Sequence, residues 1–120
     1  MPLSNIRPDT AGGCLAGRNV ALAATGATLK GNPGQVYGWH FGNAGASAAF
    51  VKLYNTAGVP NVGVTVPFIT ILVPAGGSVT LGIPQGIAFS SGIGWAATGA
   101  AADADTSAPS GAVIANLFYF

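Results

Sequence analysis

Charge is what this sequence most lacks. Its 120 residues hold four Lys or Arg, three Asp and no Glu, so 6% of the chain is charged, against about 25% in an ordinary domain. By the usual surface scaling, a compact monomer of 11.7 kDa exposes on the order of 5,900 Å², or about one charge per 800 Å². Free soluble monomers use mixed surface charge to resist association, so a chain this neutral is expected to be covered in part by other subunits. The net charge of +1 excludes the dense basic patch that neutralises phosphates, and no nucleic-acid partner is expected.

Cys14 is the single cysteine, which excludes an intrachain disulfide, and one thiol cannot build a zinc site alone. The opening Met-Pro-Leu-Ser-Asn-Ile-Arg-Pro-Asp-Thr lacks the apolar core of a secretory signal, so Gly12-Gly13-Cys14 does not read as a lipoprotein cleavage site. Assembly inside a cell is the expectation. Long apolar runs are missing as well: Val62 to Val73 is broken by Pro67 and closed by Pro74. That is well short of the ~20 residues of a spanning helix, and no membrane partner is expected, despite a mean hydropathy of +0.54.

General acid–base chemistry needs titratable pairs, and the whole supply here is His40, three Asp and Cys14. No carboxylate lies near His40 in sequence. In Val36-Tyr37-Gly38-Trp39-His40-Phe41 it takes the face opposite Tyr37, Trp39 and Phe41, and reads as a half-buried strand residue rather than a base or ligand. Asp103 and Asp105 form an Asp-x-Asp pair, but no Glu completes a cation shell, so they read as solvated loop carboxylates. Ser90-Ser91-Gly92 lacks the glycine that a nucleophile elbow places two residues before its serine. Gly26-Ala27-Thr28-Leu29-Lys30-Gly31 lacks the Gly-Lys-Ser/Thr ending of a phosphate loop. No enzymatic activity, catalytic residue, cofactor or metal is therefore expected. Tyr37, Trp39, Tyr54 and Trp95 would suit a platform for a sugar or a partner protein, with core packing the favoured reading.

What is present suffices for a core. Ala and Gly number 22 and 19, and Leu, Ile, Val and Phe together make 31 of the 120 residues, above the roughly 20% below which chains stay disordered. The length fits a single domain. Residues 1–17, with Pro2, Pro8 and Gly12-Gly13, read as an extended N-terminal arm, and 18–120 as the folded domain. In the latter, short apolar runs separated by Gly, Pro, Asn and Ser predict about eight short antiparallel strands, the spacing of an all-β sandwich or small barrel. They fall at Asn19–Ala24, Val36–Phe41, Phe50–Asn55, Phe68–Val73, Ser78–Leu81, Ile87–Phe89, Gly94–Thr98 and Val113–Tyr119.

Phe68–Val73 is apolar on both faces and is expected to be central. Pro74-Ala75-Gly76-Gly77 predicts a hairpin joining it to Ser78–Leu81. Ala46 to Asn55 would also suit a short helix, but Phe50, Val51 and Tyr54 favour strand. Gly99 to Gly111 has no large apolar side chain and reads as a long surface loop. The last strand would expose Phe118 and Phe120, an aggregation hazard unless another element covers it. Residues 1–60 carry 4 minus 1, or +3, and the rest −2, so neighbouring subunits, or the arm and a partner, are expected to attract one another.

Ala49-Phe50-Val51-Lys52-Leu53-Tyr54-Asn55, then Pro60, Val62-Gly63, Pro67, the apolar Ile69 to Val73 and Pro74-Ala75-Gly76-Gly77-Ser78-Val79, resembles a small β-sandwich family of bacteriophage virion proteins. Gly86-Ile87-Ala88-Phe89-Ser90-Ser91-Gly92-Ile93 and Thr98-Gly99 with Asp103 and Asp105 are similar too, so the match covers approximately residues 35 to 120. The resemblance implies a non-enzymatic capsid decoration (cement) protein, jelly-roll-like and often trimeric, bound between major capsid protein subunits at the virion surface after synthesis in the host cytoplasm. Ile6, Arg7, Leu15 and Arg18 of the arm, with terminal Phe118, Tyr119 and Phe120, are the expected interface residues. Two rivals remain at this point. One is a carbohydrate- or receptor-binding module of a tail fibre or tailspike, with Trp39, Tyr54 or Trp95 around a groove; the other is a tail-tube or minor virion protein.

Overall fold

The computed structural model describes residues 13–120. Eight strands follow one another: β1 (Leu15–Asn19), β2 (Ala27–Lys30), β3 (Gly34–Asn43), β4 (Ala49–Tyr54), β5 (Ile69–Val73), β6 (Ser78–Phe89), β7 (Ile93–Thr98) and β8 (Val113–Tyr119). All pairings are antiparallel. The strands form a front sheet, β1-β8-β3-β6, and a back sheet, β2-β7-β4-β5. The pairs β1-β8, β2-β7, β3-β6 and β4-β5 each sum to nine, so the second half of the chain runs back along the first like one long hairpin, with successive rungs alternating between the sheets.

Strand alternation supplies the core. Val36, Trp39, Phe41, Val113, Ala115 and Leu117 of the front sheet and Ala49, Val51, Leu53, Val73, Ile93, Trp95 and Ala97 of the back sheet belong to one buried cluster. Each large side chain removed from water contributes about 1.5–3 kcal/mol. Trp39 and Phe41, two residues apart and so on one face, stack with centroids 5.8 Å apart. Phe89 meets Phe68 edge-on at 5.1 Å.

Several expectations change. The first strand is Leu15–Asn19 rather than Asn19–Ala24, so residues 15–17, assigned to the arm from sequence, are paired with β8. Residues 20–24 resemble a strand because they cross between the sheets: Leu22 is buried, its amide bonds the Val113 carbonyl, and the Ala23 carbonyl accepts from Ala97. The side chain of Asn19 accepts from the Ala21 amide and turns the chain there. β2 was not legible, because Gly26 and Gly31 made its four residues look like a turn. Ser78–Leu81 and Ile87–Phe89 are one strand, β6, interrupted in register between Val36 and Gly38 of β3. There Gly86 has φ +77°, and its missing Cβ leaves room for the Tyr37 ring.

β5 is an edge strand, not a central one. Its alternation is real, but it separates inward Ile69, Ile71 and Val73 from an outward Leu72 that is 52% exposed. Pro74–Gly77 does make a tight turn, with Gly77 N bonded to Pro74 O and Gly76 at φ +64°. It delivers the chain to the other sheet instead of closing a hairpin. β8, in turn, lies between β1 and β3, so its edges are paired. β4 confirms strand over helix at Ala49–Tyr54.

Candidate interaction surface

The two outer faces of the molecule differ. On the front sheet, register aligns Arg18 with Asn116, Asn116 with His40, and His40 with Thr80. Four polar side chains thus cross all four strands in one row, at the ~4.8 Å strand spacing. Arg18, His40 and Thr80 are exposed and Asn116 is half-buried. The imidazole Nδ1 of His40 lies 2.6 Å from the Thr80 hydroxyl. His40 is therefore a solvent-facing residue, opposite Trp39 and Phe41 as the alternation requires, but not half-buried.

Bare backbone flanks this row. Gly38 pairs with Gly82 and Phe118 on one side, and Gly42 with Ser78 and Ile114 on the other. Gly38 has an internal reason, since a Cβ would stand 2.5 Å from the Leu81 carbonyl. A Cβ at Gly42 or Gly82 would meet nothing within 4 Å. Mid-strand glycine weakens a strand and often marks a place where another chain approaches closely.

The middle of the back sheet is covered instead, while Leu72 on its edge strand stays exposed. Phe50, Lys52 and Tyr54 alternate with core-facing Ala49, Val51 and Leu53 on β4, and loop 99–111 folds over Lys52 and comes near Tyr54. Lys52 is fully buried, and its ammonium donates to the Ala102 carbonyl at 2.6 Å. The Thr98 hydroxyl donates to the Ala100 carbonyl at 2.9 Å. Asp105 Oδ2 accepts from the Ser107 hydroxyl at 2.7 Å and from the Ser107 and Ala100 amides, both at 3.2 Å. These bonds, the Ser107 hydroxyl foremost, hold its carboxyl below the usual carboxylate range, with the Lys52 charge adding to the effect. The Tyr54 hydroxyl is buried without a partner among the described residues. Burial first, and then the Asp103 charge, push its ionisation up. A second loop, 56–67, abuts the first where Gly63, at φ +90°, lies under Thr106.

The expected interface residues are dispersed. Ile6 and Arg7 lie outside the described residues. Arg18 and Phe118 share the outer face of the front sheet, Leu15 is exposed on β1, and Tyr119 packs against the core. Phe120 borders an open cleft of about 410 Å³ that Lys30, Pro33, Gln35 and Ser90 also line. Its ring is 5.5 Å from the Lys30 ammonium. Trp39, Tyr54 and Trp95 are at most 5% exposed and form no platform. Sequence reasoning missed the strongest apolar exposure: Val59, Val64 and Val66 at 67%, 74% and 69%, continuing into Phe68 and Leu72. The signal was there, since no charge falls between Lys52 and Asp103, but apolar runs were read as core.

Among the described residues no three His, Cys, Asp or Glu gather as a metal site. Comparison with protein-family models, with curated proteins and with solved structures finds no match for this chain.

Proposed function

We propose that this chain is a structural subunit of a bacteriophage virion, a head decoration protein that self-associates, as a trimer, and stabilises the shell by binding between major capsid protein subunits. It acts by buried contact and performs no chemistry. The observation that carries this reading is the uncharged apolar surface at residues 59–72, where three valines are each more than two-thirds exposed or nearly so. Fifty residues, from 53 to 102, hold no Asp, Glu, Lys or Arg. An edge strand with such a flank is a template for association unless something covers it. Repetition over a lattice adds many such contacts, each worth roughly 25 cal/mol per Å² before association costs.

The strand orders support the finer fold assignment. β1-β8-β3-β6 opposite β2-β7-β4-β5 is the order of an eight-stranded jelly roll, an architecture used in viral capsids and also in lectins. A sugar-binding role is disfavoured by the burial of Trp39, Tyr54 and Trp95.

Sedimentation of the isolated chain, followed by imaging of particles assembled with and without it, tests the reading. Wild type should sediment as a small oligomer and occupy a regular position on the shell. Val64→Asp with Val66→Asp should remain folded and lose the particle. A highly soluble monomer that leaves particles undecorated would overturn the proposal.

A further inference from the structure

The two broad faces are complementary in charge. The front sheet's outer face carries Arg18, whose guanidinium meets no carboxylate among the described residues, and no acidic group of its own. The only side-chain carboxylates of the described residues, Asp103 and Asp105, belong to the loop that covers the other sheet. Asp105 is consumed internally by Ser107 and Ala100. Asp103 is exposed at the loop's tip, and its carboxylate makes no hydrogen bond among the described residues. Arg18 and Asp103, neither with an ion-pair partner among the described residues, therefore face away from each other on the same molecule.

Around Asp103 the loop carries small side chains, with Ala101, Ala102 and Ala104 exposed. The row of Arg18, Asn116, His40 and Thr80 is bordered by glycines that the fold does not require at positions 42 and 82. A methyl-bearing tip can approach bare backbone closely there, while Asn116 and His40 offer hydrogen bonds to its peptide groups.

We infer that the occupant of this face is a second copy of the chain: the Ala101–Ala104 tip of one copy seats across the front sheet of the next, with Asp103 on Arg18. This rests on the self-association proposed above and specifies its surface. The two patches lie on the outer sides of different sheets, so one contact cannot hold both twice, and the interface is heterologous. Three is the smallest number of copies that closes such a contact into a ring, since two related by a dyad make an isologous one. Most of the affinity comes from the seated backbone. The exposed ion pair fixes register and makes association salt-dependent.

Sedimentation equilibrium of the full chain at low and high salt is the test. Arg18→Glu and Asp103→Arg should each weaken self-association about tenfold or more, through like-charge contact. Arg18→Glu combined with Asp103→Arg in one chain should restore it to within a few-fold of wild type. Gly42→Val, whose Cβ enters open space, should weaken it without lowering the unfolding midpoint. An oligomer insensitive to all three changes would overturn this interface while leaving self-association intact. A monomer at every concentration and salt would remove both.

Discussion

The buried Lys52 ammonium and the Ala102 carbonyl, 2.6 Å apart, fasten loop 99–111 onto the back sheet. A lysine without water is tolerated where its charge finds acceptors and a nearby carboxylate, here Asp105. Lys52→Ala removes the bond and empties the space of the stem, and should cost about 2–4 kcal/mol in urea unfolding. Lys52→Met keeps the stem and should recover at least half of that loss. Amide exchange at Asp105, bonded to Ala102, should accelerate in both variants if the lysine is the latch.

Tyr54 gives the opposite sign. Its hydroxyl is buried with no partner among the described residues, so Tyr54→Phe should be neutral or stabilising by up to about 1 kcal/mol at neutral pH. The raised ionisation adds a pH signature. A folded value above the unfolded one means that this contribution is fully present below about pH 10 and is lost as pH rises through the folded value. Wild type should therefore lose stability faster than Tyr54→Phe above pH 10. Parallel curves would place the hydroxyl in contact with water.

Alternation along strands was legible and neighbourhood was not. Val36 to Phe41, Phe50 to Tyr54 and Val113 to Tyr119 announce strands because their large side chains recur at a period of two. The same period assigns Leu72 to a face but cannot say whether a strand or water lies beyond it, and so β5, an edge strand, was expected at the centre. Ala27–Lys30 hid because its pairing with β7 comes from tertiary contact, not from its own residues. The row from Arg18 to Thr80 is assembled from four strands whose members lie up to 98 positions apart, 116 minus 18. No local pattern encodes it. Asp105's role in the loop was also invisible, since an Asp-x-Asp pair looks the same whether it is solvated or capping amides.

Asp105 should make loop 99–111 acid-sensitive. Its folded carboxyl ionises below its unfolded value, so the stabilisation is present above about pH 4 and is lost as pH falls through the lower folded value. Asp105→Asn should lack that dependence, being loosened already at neutral pH and flat below it. The readout is exchange at the Ala100 and Ser107 amides, which Asp105 accepts. Equal exchange in the two proteins at pH 7 would contradict the capping role.

Glycine substitutions separate what folding requires from what assembly requires. A Cβ at Gly92 would stand 2.4 Å from the Thr56 carbonyl and 2.7 Å from that of Lys30, both main-chain atoms that cannot yield. Gly92→Ala should therefore lower stability by about 1–3 kcal/mol or more by overpacking. Gly42→Ala meets no atom within 4 Å and should stabilise the isolated chain by about 0.5–1 kcal/mol, as removal of a mid-strand glycine ordinarily does. Thermal unfolding of the two variants, side by side, reads the difference. A Gly42→Ala protein that folds better yet associates less would locate the pressure for glycine outside the monomer, on the chain that lies against β3.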